Sequence, residues 1–296
     1  MLDFLRIAVK YQKGVCDISP KFVVKKSSDL MIRGGDFYAI WVEEDKKWST
    51  DEEEVIRLVD EELKKKAEEI KDEHKVVHYM WDADSGSIDR WHKYCQKQLR
   101  DNYHILDQSL AFSNSEGKKA DYASKKLPYS LERGSIEAYD ELISVLYSEE
   151  ERHKLEWAIG AIVSGDSKHI QKFLVLYGSA GTGKSTVLNI IQKLFDGYWC
   201  AFDAKSIGGN GSFSLEPFKS FPLVGIQHDG DLSRIEDNTK LNSLVSHEMQ
   251  PMNAKYEKLY VASIKAFLFM GTNKPVKITE AKSGLIRRLI DVSPTN

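Results

Sequence analysis

The shortages in this chain bound it first. Only 3 of its 296 residues are cysteine, Cys16, Cys95 and Cys200. They lie far apart and form no C-x-x-C pair, which excludes a disulfide scaffold and points to thiols in a reducing compartment. His74, His78, His92, Cys95 and His104 are scattered without a matching ligand pattern, so no structural zinc is expected. No apolar run approaches the roughly eighteen residues of a membrane span. The opening MLDFLRIAVKYQKG has no long apolar stretch of the secretory kind. Neither charge sign dominates: 42 Lys and Arg against 45 Asp and Glu leave a net charge of −3. That balance excludes a protein basic all over, but not a local nucleic-acid site. Internal repeats and low-complexity linkers are missing too. The expectation is a soluble protein of the cytoplasm, bacterial or virus-infected, with no membrane partner.

What is present suffices for about two domains, with 42% hydrophobic residues to build their cores. Residues 1–50 read as strand-rich: Phe22 to Lys26 and Phe37 to Val42 carry β-branched and aromatic side chains, with a turn at Arg33-Gly34-Gly35-Asp36. Residues 51–148 read as a mainly helical domain. Val55, Ile56, Leu58, Val59, Leu63, Ala67 and Ile70 mark one helical face, with Ser49, Thr50 or Asp51 as its cap. Residues 85–110 also read as helical, then come helices near 136–146 and 149–163. Residues 149–296 read as an α/β nucleotide-binding domain.

The strongest motif is Gly178-Ser179-Ala180-Gly181-Thr182-Gly183-Lys184-Ser185, followed by Thr186. It matches G-x-x-x-x-G-K-[ST], a loop whose glycines let several backbone N–H groups face one phosphate. The apolar run Phe173 to Tyr177 precedes it as a buried strand. Val187, Leu188, Ile191, Leu194 and Phe195 follow at helical spacing. In such a loop Lys184 reaches the β- and γ-phosphates and Ser185 holds Mg²⁺, so ATP and Mg²⁺ are the expected ligands.

Further candidates follow. Phe221 to Gln227 is an apolar run ending in His228-Asp229-Gly230-Asp231, and an acid after such a strand can hold Mg²⁺ and polarise water. Asp229 is preferred and Asp231 second. Ile264 to Met270 ends in Gly271-Thr272-Asn273-Lys274-Pro275. Asn273 there either senses the γ-phosphate and orients water, or starts the turn before Pro275. Arg287 and Arg288 precede a last apolar strand, and one of them, Arg287 by preference, would reach a neighbouring subunit's γ-phosphate.

Taken in order, Gly165-Asp166, the phosphate loop, His228 to Asp231, Gly271-Thr272-Asn273 and Arg287-Arg288 resemble superfamily 3 helicases. More closely, they look like the C-terminal region of poxvirus- and phage-type helicase-primases. Trp48-Ser49-Thr50-Asp51-Glu52-Glu53 is similar to the start of the domain that precedes the ATPase in that family. The resemblance implies an AAA+-like fold, a homo-hexamer with ATP sites between subunits, translocation on single-stranded DNA, and replication partners such as a primase or polymerase. Three departures stand out. Gly230 separates acids that are often adjacent, no primase acid cluster is seen, and family members usually continue well past the position of Arg288.

In that superfamily a hairpin between the acids and the sensor strand enters the ring channel. Here it corresponds to residues 246–260, and Lys255, Tyr256 and Lys258 near its tip are the expected DNA contacts. From position 251 to 296, 8 Lys and Arg face 3 Asp and Glu, a locally basic balance suited to phosphates. The glycine-rich loop from Ile207 to Phe213, with Phe218 and Lys219, is either a second DNA contact or a connector. The expected function is an ATP-dependent DNA helicase or translocase. Its competitors are an ATP-dependent initiator or loader that does not unwind DNA, and a P-loop small-molecule phosphotransferase.

Overall fold

The computed structural model describes residues 2–71, 76–79, 85–108, 110–209, 213–231, 238–253, 260–274 and 284–295. The chain divides into two units, one of residues 1–111 and 115–126 and one of residues 112–114 and 127–296.

The first unit opens with a β-hairpin, β1 (Leu5–Gln12) and β2 (Val15–Phe22), paired antiparallel from Leu5↔Phe22 to Gln12↔Val15. Lys13 and Gly14 alone join them, both with positive φ (46° and 83°), as a primed two-residue turn requires. A second antiparallel group follows: β3 (Leu30–Arg33), β4 (Asp36–Val42) and β5 (Lys47–Ser49). Helix α1 (Glu53–Lys71) begins where the Asp51 carboxylate accepts the Glu53 N–H at 3.1 Å, so Asp51 is the cap among the three expected. Its residues Val55, Val59 and Leu63 are buried with Leu5, Cys16, Ile18 and Trp91. Strand β6 (Val76–Tyr79) pairs parallel to β2, and α2 (Ser85–Tyr94) continues as a wider helical turn to Leu99.

Three expectations change here. The strand expected from Phe22 to Lys26 is β2, which ends at Phe22, because its register is set by pairing with β1. The described residues from 101 to 110 are not helical: Asn102 bridges to Ile32, and its amide donates to the carbonyls of Ser27 (2.9 Å) and Leu30 (2.8 Å). Residues 1–50 share a core with α1, so the strand-rich segment and the helix expected after it belong to one unit. Residues 127–148, expected on the N-terminal side, fall in the second unit.

After the two-residue strands β7 (Ala111–Phe112) and β8 (Lys126–Leu127), the second unit contains helices α3 (Glu137–Leu146) and α4 (Glu149–Val163). The Ser148 hydroxyl accepts the Glu151 N–H at the start of α4, and Gly165 at φ 81° ends it. Next come β9 (Phe173–Tyr177), α5 (Lys184–Leu194), β10 (Trp199–Ala201), the short α6 (Ala204–Ile207) and β11 (Val224–Gln227). Helix α7 (Thr239–Val245), the antiparallel pair β12 (Met249–Met252) and β13 (Tyr260–Ser263), β14 (Phe267–Thr272) and β15 (Leu289–Val292) complete the order.

Five strands form one sheet in the order β10-β11-β14-β9-β15, every neighbouring pair parallel. Parallel sheets are covered on both faces, which is why Phe173 to Leu176 and the whole of β14 are buried. The chain leaves β9 toward the β10 edge, returns through β11 and β14, then crosses to β15 on the other side of β9. Ligands of open α/β sheets bind beyond the strands' carboxyl ends where the connections diverge, here above β9 and β14. This mixed α/β unit is compatible with nucleotide binding.

Candidate nucleotide site

The phosphate-loop residues leave β9 at that divergence. Gly181 and Gly183 both have positive φ, 84° and 79°. At Gly183 the positive φ disfavours a side chain, and a Cβ there would also press on Leu146, 2.7 Å from its Cδ2. Gly183 is the N-cap of α5 and offers no side-chain oxygen, so the first N–H accepted by the helix is that of Val187, on Gly183 O at 3.1 Å. The N–H groups of Lys184, Ser185 and Thr186 are thus the orphan donors of a helix start. Together with the helix dipole they form an anion-binding end.

Lys184 is 7% exposed and turned into the loop. Its Nζ donates to Gly178 O at 2.7 Å and Ser179 O at 2.6 Å. Burial draws its pKa below the ordinary lysine range, and the Asp229 carboxylate opposes that shift. The electrostatic link brings together two residues 45 positions apart in sequence, the loop lysine and the preferred acid. Ser185 and Asp229 are exposed, and their hydroxyl and carboxylate oxygens are the hard donors that suit Mg²⁺.

The tip of β14 ties the neighbouring loops together. Thr272 O accepts the Gly178 N–H at 3.2 Å, and Gly271 O accepts the Gly230 N–H at 2.8 Å. Asn273 follows, exposed, between the phosphate loop and the acid loop. Gly230 accounts for the spacing of the acids: a Cβ there would lie 2.6 Å from Met270 Sδ and 2.8 Å from its Cγ. The Asp229 charge counters the fall in the Lys184 pKa, whereas Asp231 Oδ2 pairs with Lys274 Nζ at 2.7 Å. Gln227, at the end of β11, holds the strand exit: its Oε1 accepts Ala204 N–H and its Nε2 donates to Asp203 Oδ1, both at 3.0 Å. Sequence reasoning assigned no role to Lys274 or Gln227. A buried glutamine at a strand end was the available signal.

The arginines lie elsewhere. In the parallel register Leu289 faces Phe173 and Val292 faces Leu176. Arg287 and Arg288 therefore sit at the amino end of β9, and the phosphate loop sits at its carboxyl end. The five residues of β9 separate the two by about 16 Å at ~3.3 Å per residue. Arg288 is 6% exposed. Its Nε and Nη2 donate to Ser246 Oγ at 2.8 and 2.6 Å, and its Nη1 donates to Gly284 O at 2.7 Å. Those bonds commit Arg288 to packing within its own unit. Arg287 is exposed, and its carbonyl accepts from Lys172 Nζ at 2.5 Å.

Lys255, Tyr256 and Lys258 lie outside the described residues; β12 and β13 on either side pair antiparallel up to Met252↔Tyr260. Phe218, offered for a second DNA contact, is fully buried beside Phe202, so it serves the core. Among the described residues no helix is long and apolar enough to cross a membrane.

Residues 176–288 match a family described as "Family of unknown function (DUF5906)". That span encloses every candidate from the phosphate loop to the arginine pair. No curated protein matches the chain. Solved structures similar to it include "The apo structure of NrS-1 C terminal region (305-718)", 15% identical with a TM-score of 0.47, covering 68% of this chain and 50% of that one. "The A form apo structure of NrS-1 C terminal region-CTR(305-718)" is 16% identical with a TM-score of 0.43, covering 56% and 39%. A further structure of the same region is 14% identical with a TM-score of 0.40, covering 49% and 34%. The chain spans half or less of the length of each of these structures.

Proposed function

We propose that the second unit is an AAA+-like ATPase that drives movement along single-stranded DNA in viral or phage replication, as a helicase or translocase. The observation that carries this reading is the uncapped start of α5, with Lys184 folded onto its own loop and Asp229 in electrostatic reach. Such a loop holds a triphosphate through backbone donors. Lys184 then exchanges two carbonyl partners for β- and γ-phosphate oxygens. When bound, Mg²⁺ neutralises developing phosphate charge; Ser185 and Asp229 would hold it. Asp229 also orients the attacking water, with Asn273 beside it as the γ-phosphate sensor. The Asp231–Lys274 pair keeps the acid loop and the β14 tip in register. Arg287 sits at the opposite end of the sheet from the loop of its own chain, which supports a role in the site of an adjacent copy and hence a ring, with β12 and β13 on the DNA side.

The test is ATP turnover by the full chain, with and without oligothymidylate, together with release of a labelled strand from a partial duplex. Lys184→Ala should abolish turnover. Wild-type turnover in that variant would remove the nucleotide assignment, and DNA-stimulated turnover without strand release would reduce the protein to a loader.

A further inference from the structure

The β1–β2 hairpin of the first unit carries a charge pattern that its own folding does not require. Between positions 4 and 26 stand Arg6, Lys10, Lys13, Lys21, Lys25 and Lys26, against the single acid Asp17. Side chains directly opposite across an antiparallel pair share a face. One face holds Leu5↔Phe22, Val9↔Ile18 and Tyr11↔Cys16, and Leu5, Ile18 and Cys16 are buried in the core. The other face holds Arg6↔Lys21, Ala8↔Ser19, Lys10↔Asp17 and Gln12↔Val15. On that outer face Arg6, Lys10, Gln12 and Lys21 are all exposed.

The contrast with α1 is informative. Arg57, Lys64, Lys65, Lys66 and Lys71 on that helix each have a carboxylate partner within 4 Å. Among the described residues, none of the six hairpin cations has one. Charge on an edge strand guards against strand-to-strand aggregation, and β1 is an edge in the order β1-β2-β6. That purpose accounts for Lys10. It does not account for Lys21, which lies on the inner strand directly opposite Arg6, where like charges repel. A polyanion laid along the face turns this repulsion into attraction. The 8 residues of β1 make a track about 27 Å long at ~3.4 Å per residue.

The residues between the cations identify the polyanion. Ala8, Ser19, Asp17 and Gln12 are small or polar, whereas a bilayer-binding surface interleaves its cations with large apolar side chains. We propose that the outer face of the β1–β2 hairpin binds the sugar–phosphate backbone of nucleic acid, with Arg6, Lys10 and Lys21 on phosphates and without base preference. This site is separate from the nucleotide loop and does not depend on ATP hydrolysis.

The experiment is fluorescence anisotropy of labelled oligothymidylate with the full chain, without nucleotide, across a salt series. Each lost phosphate contact lowers the slope of log K against log salt by about 0.7, so Arg6→Gln/Lys10→Gln/Lys21→Gln should lower it by about 2. Between 50 and 200 mM salt that amounts to a roughly twentyfold weaker salt response. Lys64→Gln/Lys65→Gln/Lys66→Gln removes the same charge from α1 and should bind as wild type. Wild-type binding by the hairpin variant would overturn the proposal, as would an equal loss in the α1 variant. Binding to phosphatidylserine vesicles without binding to oligothymidylate would overturn it as well. If the triple variant unfolds, Lys10→Gln/Lys21→Gln carries the test, with a slope lower by about 1.4. A Lys184→Ala background should leave all of these values unchanged, which separates failure here from failure of the ATPase reading.

Discussion

Adjacent arginines with opposite duties give the sharpest prediction. Arg288 is buried, and its guanidinium spends three donors on Ser246 Oγ and Gly284 O. Arg288→Ala removes those bonds and leaves both acceptors without their donor. Hydrogen bonds from a charged group contribute ~1.5–3 kcal/mol, and a buried acceptor left unmet costs about 1–3 kcal/mol. The two estimates overlap, since part of each is the same desolvation, and part of the gain offsets the cost of burying the charge. A net loss of about 2–3 kcal/mol follows. For a unit of this size that lowers the thermal midpoint by roughly 5–10 °C. Arg287→Ala, at an exposed position, should shift stability by no more than ~0.5 kcal/mol. If its guanidinium serves a neighbour's ATP, turnover should nonetheless fall by about a thousandfold or more.

The assay pairs a thermal melt with ATP turnover, measured at several protein concentrations because a site shared between copies needs association. Below the melting range, Arg288→Ala should keep much of its turnover while melting early. Arg287→Ala should melt normally and bind ATP without hydrolysing it. The reverse pattern, a silent Arg287→Ala and a stable but inactive Arg288→Ala, would refute the division of roles.

Gly230→Ala forces a methyl group against Met270, which is fully buried. The expected cost is about 1–3 kcal/mol in urea unfolding, and turnover should fall by more than tenfold as the acid loop shifts; wild-type values on both would show that the close crossing is unimportant. His247 is buried at the base of the β12–β13 hairpin, where burial lowers its pKa although its ring faces the carbonyls of Ile264, Ser167 and Ile170. A histidine pKa lowered by folding means that the unfolded chain binds the proton first. Its contribution to stability is therefore complete above about pH 6.5 and is lost as pH falls toward the folded value. Unfolding free energy should drop over that acid range, and His247→Asn, which tolerates the positive φ of 57°, should flatten the drop.

The sequence reveals most where the determinants are local. The helix expected at residues 149–163 runs from Glu149 to Val163, because the Ser148 cap and Gly165 lie beside it in the chain. The strand, glycine loop and helix around Lys184 are legible for the same reason. What stayed hidden depends on distant partners. Nothing near Arg288 distinguishes it from Arg287; burial by Ser246, 42 positions away, does. The local sequence ranks Asp231 only behind Asp229; its pairing with Lys274, 43 positions away, is visible only once β14 is in place. The first hairpin escaped notice because β2 takes its limits from β1, whereas Val23 and Val24 have the local character of a strand and lie past its end.

Sheet direction constrains how the proposed motor could work. In a parallel sheet every strand presents its carboxyl end on one side, so the phosphate loop, the acid loop and the β14 tip converge without further arrangement. Residues that enter a strand are placed on the other side by the same rule, and Arg287 enters β15. No change of rotamer spans the length of β9 to bring its guanidinium to Lys184 of the same chain. An arginine from this segment could meet a γ-phosphate only if a second chain turned its strand-entry side toward the first chain's loop. Contact between unlike faces is heterologous and continues from copy to copy until a ring closes or a filament forms. Under this reading, turnover that rises with protein concentration and vanishes in Arg287→Ala would be two consequences of a single sheet orientation.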